Sequence, residues 1–269
     1  MTSALPARLQ TREHSPVKGL RLLSMGSQSP LATIICSHGG LDRGASFSRI
    51  ARRLSDFEVW SYDRRGYQGS RELAPFSLEH HIDDLATLAA DAKRRGPVIL
   101  FGHSFGGLVA FGVAIKHPEL VDLVIGYESP FPWIKRLGQA GPPREEEDEG
   151  AAAERFFRTI VSSEGWDRLS VDEQNSRRAD GAALVQDLTD LYHSEINFTM
   201  EDLRVPAAYI FGDGPFKSHY IELGRALQLS SPHIKIIELH HASHGAHLSN
   251  PDQLADTIIE LWREICALP

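Results

Sequence analysis

The sequence predicts an α/β fold in which helices cover both faces of a mostly parallel sheet. Short apolar runs alternate with longer helical patterns through the first half of the chain, and the alternation resumes near residue 205. This order is typical of parallel strands joined by helical crossovers. A chain of 269 residues also has room for a large hydrophobic core, because domains commonly hold about 100–200 residues.

Strands are predicted where a short apolar run stops at turn residues, and helices where apolar residues recur at helical spacing. The predicted strands are Val17–Leu23, Leu31–Cys36, Phe57–Tyr62, Val98–Phe101, Leu120–Tyr127, Val205–Phe211 and His233–Leu239. The predicted helices are Ala45–Leu54, Leu78–Ala89, Ser104–Lys116, Tyr220–Leu227 and Pro251–Cys266.

The alternating pattern is interrupted after Pro130. Several prolines and glycines mark the break, and the acidic run Glu145–Glu149 that follows them indicates a mobile, solvated hinge. Residues 152–200 then have the pattern of helices without strands. We therefore predict a core formed by residues 1–130 and 204–269, with a helical cap insertion at residues 131–203.

Composition limits the partners that the chain can have. It carries 28 Lys and Arg against 36 Asp and Glu, a formal net charge of -8, which gives no general attraction to nucleic acid or anionic lipid. No apolar run approaches the roughly 18 residues of a membrane span, and the N-terminal segment lacks the apolar centre of a secretory signal. Cys36 and Cys266 are too few for a disulfide framework. We expect a cytoplasmic monomer or homodimer that acts on a small molecule and contacts neither nucleic acid nor membrane.

Residues Gly102–Gly106 match the G-x-S-x-G pattern of a nucleophilic serine. The pattern lies between an apolar strand and an apolar helix, where Gly102 and Gly106 leave room for a tight turn that exposes the Ser104 hydroxyl. The start of the following helix points amide groups at developing negative charge. We therefore predict Ser104 as a nucleophile, with a glycine-rich turn that holds an incidental serine as the alternative.

A serine nucleophile needs a neighbouring base, and the base needs a carboxylate that fixes its tautomer. Of thirteen histidines, His244 is the best placed, in the loop between the last strand and the last helix. His240, His241 and His247 share that loop, so a zinc or nickel site is an alternative. Because no carboxylate or cysteine joins them locally, we predict no metal and expect His247 to order the loop.

Together these motifs resemble those of the α/β-hydrolase superfamily. The resemblance is carried by the turn His38–Gly40, the segment Asp63–Ser70, the serine turn and the segment His244–Pro251, and it covers nearly the whole chain apart from the insertion. It implies an eight-stranded, mostly parallel sheet. It further implies that Ser104 is the nucleophile and His244 the base.

The same resemblance implies an oxyanion hole made by the backbone N–H groups of Gly40 and Phe105. Such donors stabilise a tetrahedral intermediate by a few kcal/mol each. No cofactor is implied.

The third member of the predicted triad departs from the commonest family pattern. Most members carry an Asp a few residues after the strand that here ends at Phe211, but Pro215 holds that position and Asp213 comes early. Glu128 stands at the end of the preceding strand, where some haloalkane dehalogenases carry a catalytic Glu. We favour Glu128, because a carboxylate at a buried strand end needs a partner, and keep Asp213 as the alternative. Dehalogenase chemistry is not implied, since those enzymes use an Asp where this chain has Ser104.

The predicted function is a cofactor-independent serine hydrolase that cleaves a carboxylic ester through an acyl-enzyme. The alternatives are hydrolysis of a thioester or a carbon–carbon bond by the same triad, a ligand-binding protein with little turnover, and a metal-dependent hydrolase that uses the histidine loop. Aromatic residues in or beside the insertion either line a substrate pocket or form the insertion's own core. They are Phe131, Trp133, Phe157 and Trp166, together with Phe156 and Tyr192.

Overall fold

One eight-stranded sheet runs through the described residues of the computed structural model, which are 8–27, 29–135, 144, 147–193 and 196–267. The strands are β1 Gln10–Thr11, β2 Leu22–Gly26, β3 Thr33–Ser37, β4 Glu58–Tyr62, β5 Val98–His103, β6 Leu123–Tyr127, β7 Ala207–Gly212 and β8 Lys235–Leu239. Their spatial order is β1-β2-β4-β3-β5-β6-β7-β8. β2 pairs antiparallel with β1 and β4, and the remaining pairs are parallel. The predicted fold class is confirmed.

The register of the central strands brings their carboxyl ends to one edge. Ser37 of β3 pairs with Gly102 of β5, and Gly102 pairs with Gly126 of β6. Every residue of β3, β5, β6 and β7 is buried, as expected for parallel strands covered on both faces. The turns that follow these strands therefore meet at one edge, the usual position of ligand sites in such sheets.

Helices cover both faces of the sheet. The helices are α1 Ser48–Ala51, α2 Leu78–Lys93, α3 Phe105–Lys116, α4 Glu149–Phe156, α5 Ser163–Arg168, α6 Val171–Arg178, α7 Gly181–His193, α8 Lys217–Ser230, α9 Ala246–Ser249 and α10 Pro251–Cys266. One apolar cluster joins the sheet to α2, α3 and α8, and a second joins it to α1, α9 and α10. α10 buries Leu254, Ile258 and Leu261 on one face, at the spacing of an amphipathic helix. None of the helices in the described ranges has the length and apolar character that crossing a bilayer requires.

The chain between β6 and β7 is helical in its described part. α4 to α7 and the π-helical segment Phe157–Ser162 lie there, and their apolar side chains form a third cluster that also takes in Leu41 and Tyr67. A buried ion pair supports this contact, since the Arg64 guanidinium donates to both carboxylate oxygens of Asp187 in α7, at 3.0 and 2.6 Å. The helices agree with the predicted insertion, whose boundaries at 131 and 203 stay a prediction. Of the predicted hinge Glu145–Glu149, residues 145–146 lie outside the described residues, and Glu149 begins α4.

Two predicted elements are wrong in their extent. The first strand of the prediction, Val17–Leu23, begins later and covers Leu22–Gly26, because Gly19 adopts a left-handed turn with φ of 82°. The predicted helix Ala45–Leu54 is a 3-10 turn followed by the four residues of α1. There the Ser48 hydroxyl donates to the Ala45 carbonyl at 2.8 Å, a local bond that competes with regular helix.

Candidate active site

Ser104 occupies the sharp turn between β5 and α3. Its backbone has φ 52° and ψ -127°, a conformation that non-glycine residues rarely adopt. The turn is held by hydrogen bonds from the Ser104 N–H to the Tyr127 carbonyl at 2.9 Å and from the Gly107 N–H to the Ser104 carbonyl at 2.8 Å. A Cβ atom at Gly102 would collide with the Gly106 carbonyl, and one at Gly106 with the Ser37 carbonyl. The glycines of the motif thus permit the close backbone approach that exposes the serine.

Glu128 and His244 form a hydrogen-bonded pair at the same edge of the sheet. The Glu128 Oε2 atom lies 2.6 Å from His244 Nδ1, and Oε1 accepts the Gly212 N–H at 3.0 Å. Glu128 directly follows β6, has a positive φ of 47°, and is 4 % exposed. Since a carboxylate accepts, Nδ1 of His244 carries the hydrogen and Nε2 is left as the basic nitrogen.

Three tyrosines surround the Glu128 carboxylate. Burial, followed by the negative charge of Glu128, raises the pKa of Tyr127, Tyr209 and Tyr220 well above its usual range. The phenols therefore stay neutral, and two of them donate hydrogen bonds to backbone carbonyls nearby. Tyr127 Oη donates to the Ser243 carbonyl at 2.6 Å, and Tyr209 Oη donates to the Ser129 carbonyl at 3.2 Å. The Tyr127 bond fixes the residue immediately before His244.

Ser104, His244 and Glu128 line one cavity together with both predicted oxyanion residues, Gly40 and Phe105. Its inner part has mainly apolar walls, and it adjoins a wider part of about 590 Å³ that is also lined by Ser104 and His244. In the described structure the N–H groups of Gly40 and Phe105 have no hydrogen-bond acceptor, so both donors are available. The Ser104 hydroxyl also has no partner among the described residues and is free to turn toward the imidazole.

Asp213, the alternative acid, is engaged elsewhere. Its Oδ2 accepts the His241 N–H at 2.8 Å and its Oδ1 accepts the Ala242 N–H at 3.1 Å. These backbone hydrogen bonds, with that of His241 the largest cause, lower the pKa of Asp213. The carboxylate caps the loop that leads to His244, and the structure brings Glu128 to the imidazole instead.

The predicted pocket aromatics occupy three kinds of position: the cavity wall, the core and the surface. Phe157 lines the wider part of the cavity. Phe131 is fully buried and packs against Phe111 and Tyr209. Trp166 is also buried and packs against Phe157. These two side chains belong to the core, because both are fully buried within apolar clusters. Trp133 is 39 % exposed and packs on Phe131.

Two residues beside the site were not predicted from the sequence to contribute to it. His103 and Asp42 lie next to His247, with 3.2 Å between Asp42 Oδ2 and His247 Nε2. His103 Nε2 lies 2.8 Å from the His244 carbonyl oxygen. The histidine beside Ser104 in the serine motif is the signal that could have indicated this contact. Asp42 carries no comparable signal, because only the fold brings it to the histidine loop.

The site combines a serine at a strand-to-helix turn with a histidine after the last strand and a carboxylate that binds this histidine. On a sheet of this topology, the combination is typical of the α/β-hydrolase type. The family model described as "Alpha/beta hydrolase family" matches residues 34–257. The chain belongs to the alpha/beta hydrolase family.

Curated relatives match over a limited part of their length. The lipase LipV of Mycobacterium tuberculosis is 31 % identical over 106 residues, which are 39 % of this chain and 40 % of LipV. The human serine hydrolase-like protein is 33 % identical over 102 residues, 36 % of this chain and 50 % of that protein. The matches to these relatives thus span half of their length or less.

Solved structures share the fold over nearly the whole chain. Carboxylesterase CesB (YbfK) from Bacillus subtilis superposes with a TM-score of 0.70 at 16 % identity, covering 94 % of this chain and 91 % of that one. E-2-(acetamidomethylene)succinate hydrolase gives a TM-score of 0.66 at 20 % identity, covering 95 % and 99 %. At these identities the likeness shows the fold alone. Lipases and esterases are among the proteins that the chain is similar to.

Proposed function

We propose that the protein is a serine hydrolase that cleaves a carboxylic ester of a small molecule through an acyl-enzyme. The observation that carries the proposal is the hydrogen bond between Glu128 and His244 in the cavity that Ser104 lines. Nucleophile, acid and base then follow one another along the chain in the order usual for this fold.

In the proposed reaction, Ser104 Oγ attacks the ester carbonyl carbon while His244 Nε2 takes the hydroxyl proton. The carbonyl electron pair moves onto oxygen, and the resulting oxyanion accepts hydrogen bonds from the Gly40 and Phe105 N–H groups. When the carbon–oxygen bond breaks, the imidazolium gives its proton to the departing alkoxide. Water then repeats the sequence on the acyl-enzyme, releases the acid and restores the Ser104 hydroxyl.

Glu128 acts through His244 in this scheme. Its carboxylate keeps the hydrogen on Nδ1, so that Nε2 faces the serine as a base, and it stabilises the imidazolium that forms. The Gly212 N–H on Oε1 holds the carboxylate in place and satisfies its second oxygen.

The cavity walls favour an apolar substrate group. Most of the inner lining comes from apolar side chains, including Phe156, Leu184 and Leu188 of α4 and α7. Burial of apolar area contributes about 25 cal/mol per Å², so an alkyl or aryl acyl chain would gain affinity there. Since these residues belong to residues 131–203, we propose that this segment acts as a cap over the site. The names of LipV and CesB, a lipase and a carboxylesterase, support an ester substrate.

The proposal is tested by p-nitrophenyl esters of graded acyl length, with mass spectrometry of the protein quenched during turnover. We expect hydrolysis, and a mass increase of one acyl group on the peptide that holds Ser104. Turnover without any acylated serine would exclude the acyl-enzyme route, and binding without turnover would favour a ligand-binding role.

A further inference from the structure

We propose that Asp42, His103 and His247 bind one divalent transition-metal ion such as Zn²⁺, at a site adjacent to the catalytic residues. Asp42 lies in the loop after β3, His103 ends β5, and His247 lies in α9. One ligand atom from each of the three residues lies within 4.8 Å of the others. Two imidazoles and one carboxylate are a donor set that suits zinc and related ions.

Four buried polar atoms of this cluster make no well-directed hydrogen bond, although Asp42 Oδ2 and His247 Nε2 lie 3.2 Å apart. Among the described residues, seven buried side-chain polar atoms make no such bond, and four of them are Asp42 Oδ2, His103 Nδ1, His247 Nδ1 and His247 Nε2. His103 is 6 % exposed and His247 is 2 % exposed. Each buried polar atom without a partner costs about 1–3 kcal/mol, so their concentration at one point indicates a ligand that they share.

The hydrogen bond of His103 shows which of its nitrogens faces the proposed ion. Its Nε2 lies 2.8 Å from the carbonyl oxygen of His244, and a carbonyl only accepts, so Nε2 carries the hydrogen. In the neutral ring Nδ1 then carries a lone pair and is an acceptor. This atom lies 3.9 Å from the Asp42 carboxylate. Two acceptors that face each other in a buried place repel, and a cation between them removes the repulsion.

Two of the three ligand separations are near the value expected around a zinc ion. With metal–ligand distances of about 2.0–2.1 Å, tetrahedral ligands are roughly 3.3 Å apart. The separation of Asp42 Oδ2 and His247 Nε2 is 3.2 Å, close to that value. The Asp42–His103 separation of 3.9 Å must shorten by about half an ångström.

Metal-bound histidines usually donate their other ring N–H to a carbonyl or a carboxylate. His103 already does so, and its acceptor is the backbone of His244, the proposed base. An ion at this site would join the loop after β3, the end of β5 and α9 at the carboxyl edge of the sheet, and it would hold the His244 backbone. It is a positioning element, and no step of the proposed hydrolysis passes through it.

The sequence analysis predicts no metal, and the alternative that it keeps uses the four histidines of one loop. His240 and His241 are exposed, and His244 Nδ1 is bonded to Glu128, so only His247 of that group contributes here. The carboxylate missing from the loop is supplied by Asp42.

The test measures Zn²⁺ and Co²⁺ binding to the untagged full-length chain after treatment with a chelator and dialysis. We expect one Zn²⁺ per chain by calorimetry and visible d–d absorption from bound Co²⁺. Asp42→Asn and His247→Gln should each weaken binding at least about tenfold. The matched controls His240→Gln and His241→Gln, from the same loop, should bind like the wild type.

Absence of stoichiometric binding by the wild-type protein would overturn the proposal. Binding that is lost in His240→Gln or His241→Gln, and kept in Asp42→Asn, would overturn it as well. Ser104→Ala should lose esterase activity yet keep the metal, so failure of the proposed function would be distinguishable from failure of this site.

Discussion

Oε2 of Glu128 lies 2.6 Å from Nδ1 of His244, although 116 residues separate them along the chain. The strand order explains the distance, because β6 and β8 flank β7 and their following turns meet at its carboxyl end. The Gly212 N–H, at the end of β7, completes the contact from between them.

Replacement of the acid tests this arrangement. Glu128→Gln keeps the shape but allows the wrong histidine tautomer, so we expect kcat/KM for p-nitrophenyl butyrate to fall about 10³–10⁴-fold. Asp213→Asn retains a carbonyl acceptor for the loop amides and should change the rate only a few-fold. Steady-state kinetics of both variants measure the difference, and the reverse ranking would assign the acid to Asp213.

Acyl-chain selectivity should depend on the side chains that line the cavity from the helices α4 to α7 and from the π-helical segment Phe157–Ser162. Ile160 is partly buried and lines both of its parts. Ile160→Trp should fill the apolar space and lower kcat/KM for a p-nitrophenyl octanoate by about tenfold, as expected for a loss of roughly 1.4 kcal/mol. Activity on the acetate should stay within about twofold.

The control for this change is Val171→Trp, because Val171 is 69 % exposed in α6. It should leave both substrates unaffected. Equal losses on acetate and octanoate in Ile160→Trp would mean that this wall does not bind the acyl chain.

The buried pair of Arg64 and Asp187 should matter for stability. Both side chains are almost fully buried, and Tyr67 Oη also donates to Asp187 Oδ2, at 2.6 Å. Asp187→Ala leaves an unpaired buried guanidinium, and we expect the free energy of unfolding to fall by about 3–5 kcal/mol in urea.

An exposed pair provides the comparison for that variant. Lys235 and Glu264 form an ion pair with side chains that are 51 % and 57 % exposed. Glu264→Ala should cost no more than about 1 kcal/mol. Similar losses in Asp187→Ala and Glu264→Ala would contradict the view that the buried pair stabilises the packing of α7.

Stability should decline in mild acid because of His81. Burial, and after it the positive charge of Arg64, lower the pKa of His81 from 6.5 to about 4, although Asp187 and Asp84 oppose the shift. Below pH 6.5 the unfolded chain takes up a proton that the folded chain refuses until about pH 4. The contribution of neutral His81 is thus complete above pH 6.5 and is lost as the pH falls, by up to about 2 kcal/mol at pH 5.

Urea unfolding at pH 7.5 and pH 5 measures this effect. His81→Gln, which cannot take up the proton, should show a smaller loss between the two pH values than the wild type. His80→Gln, at the neighbouring position, should show the same loss as the wild type. A pH dependence unchanged in His81→Gln would refute the assignment.

The parts of the site that sequence could predict are those with a local cause. Gly102, Ser104 and Gly106 determine one turn by themselves, and the His244 loop follows from its place between the last strand and the last helix. Sequence alone did not distinguish Glu128 from Asp213 as the partner of His244, because their contacts depend on how the strand ends are aligned. In the folded chain the Gly212 amide donates to Glu128, and the His241 amide donates to Asp213.

Contacts between residues far apart in the sequence could not be predicted from such local patterns. Nothing near Arg64 in the sequence indicates Asp187, and nothing near His247 indicates Asp42, because their proximity arises from the packing of whole elements. The predicted strand Val17–Leu23 and helix Ala45–Leu54 were misplaced for a related reason. Left-handed Gly19 and the Ser48 hydroxyl altered the backbone where the apolar pattern suggested regular structure.

We propose that the Ser104 hydroxyl is activated by the imidazole that Glu128 holds. Covalent labelling by a fluorophosphonate, followed by mass spectrometry of the labelled peptide, tests this activation. We expect one label per chain, on Ser104, abolished in Ser104→Ala and slowed strongly in His244→Ala. A folded wild-type protein that takes no label, or takes it on another residue, would contradict it.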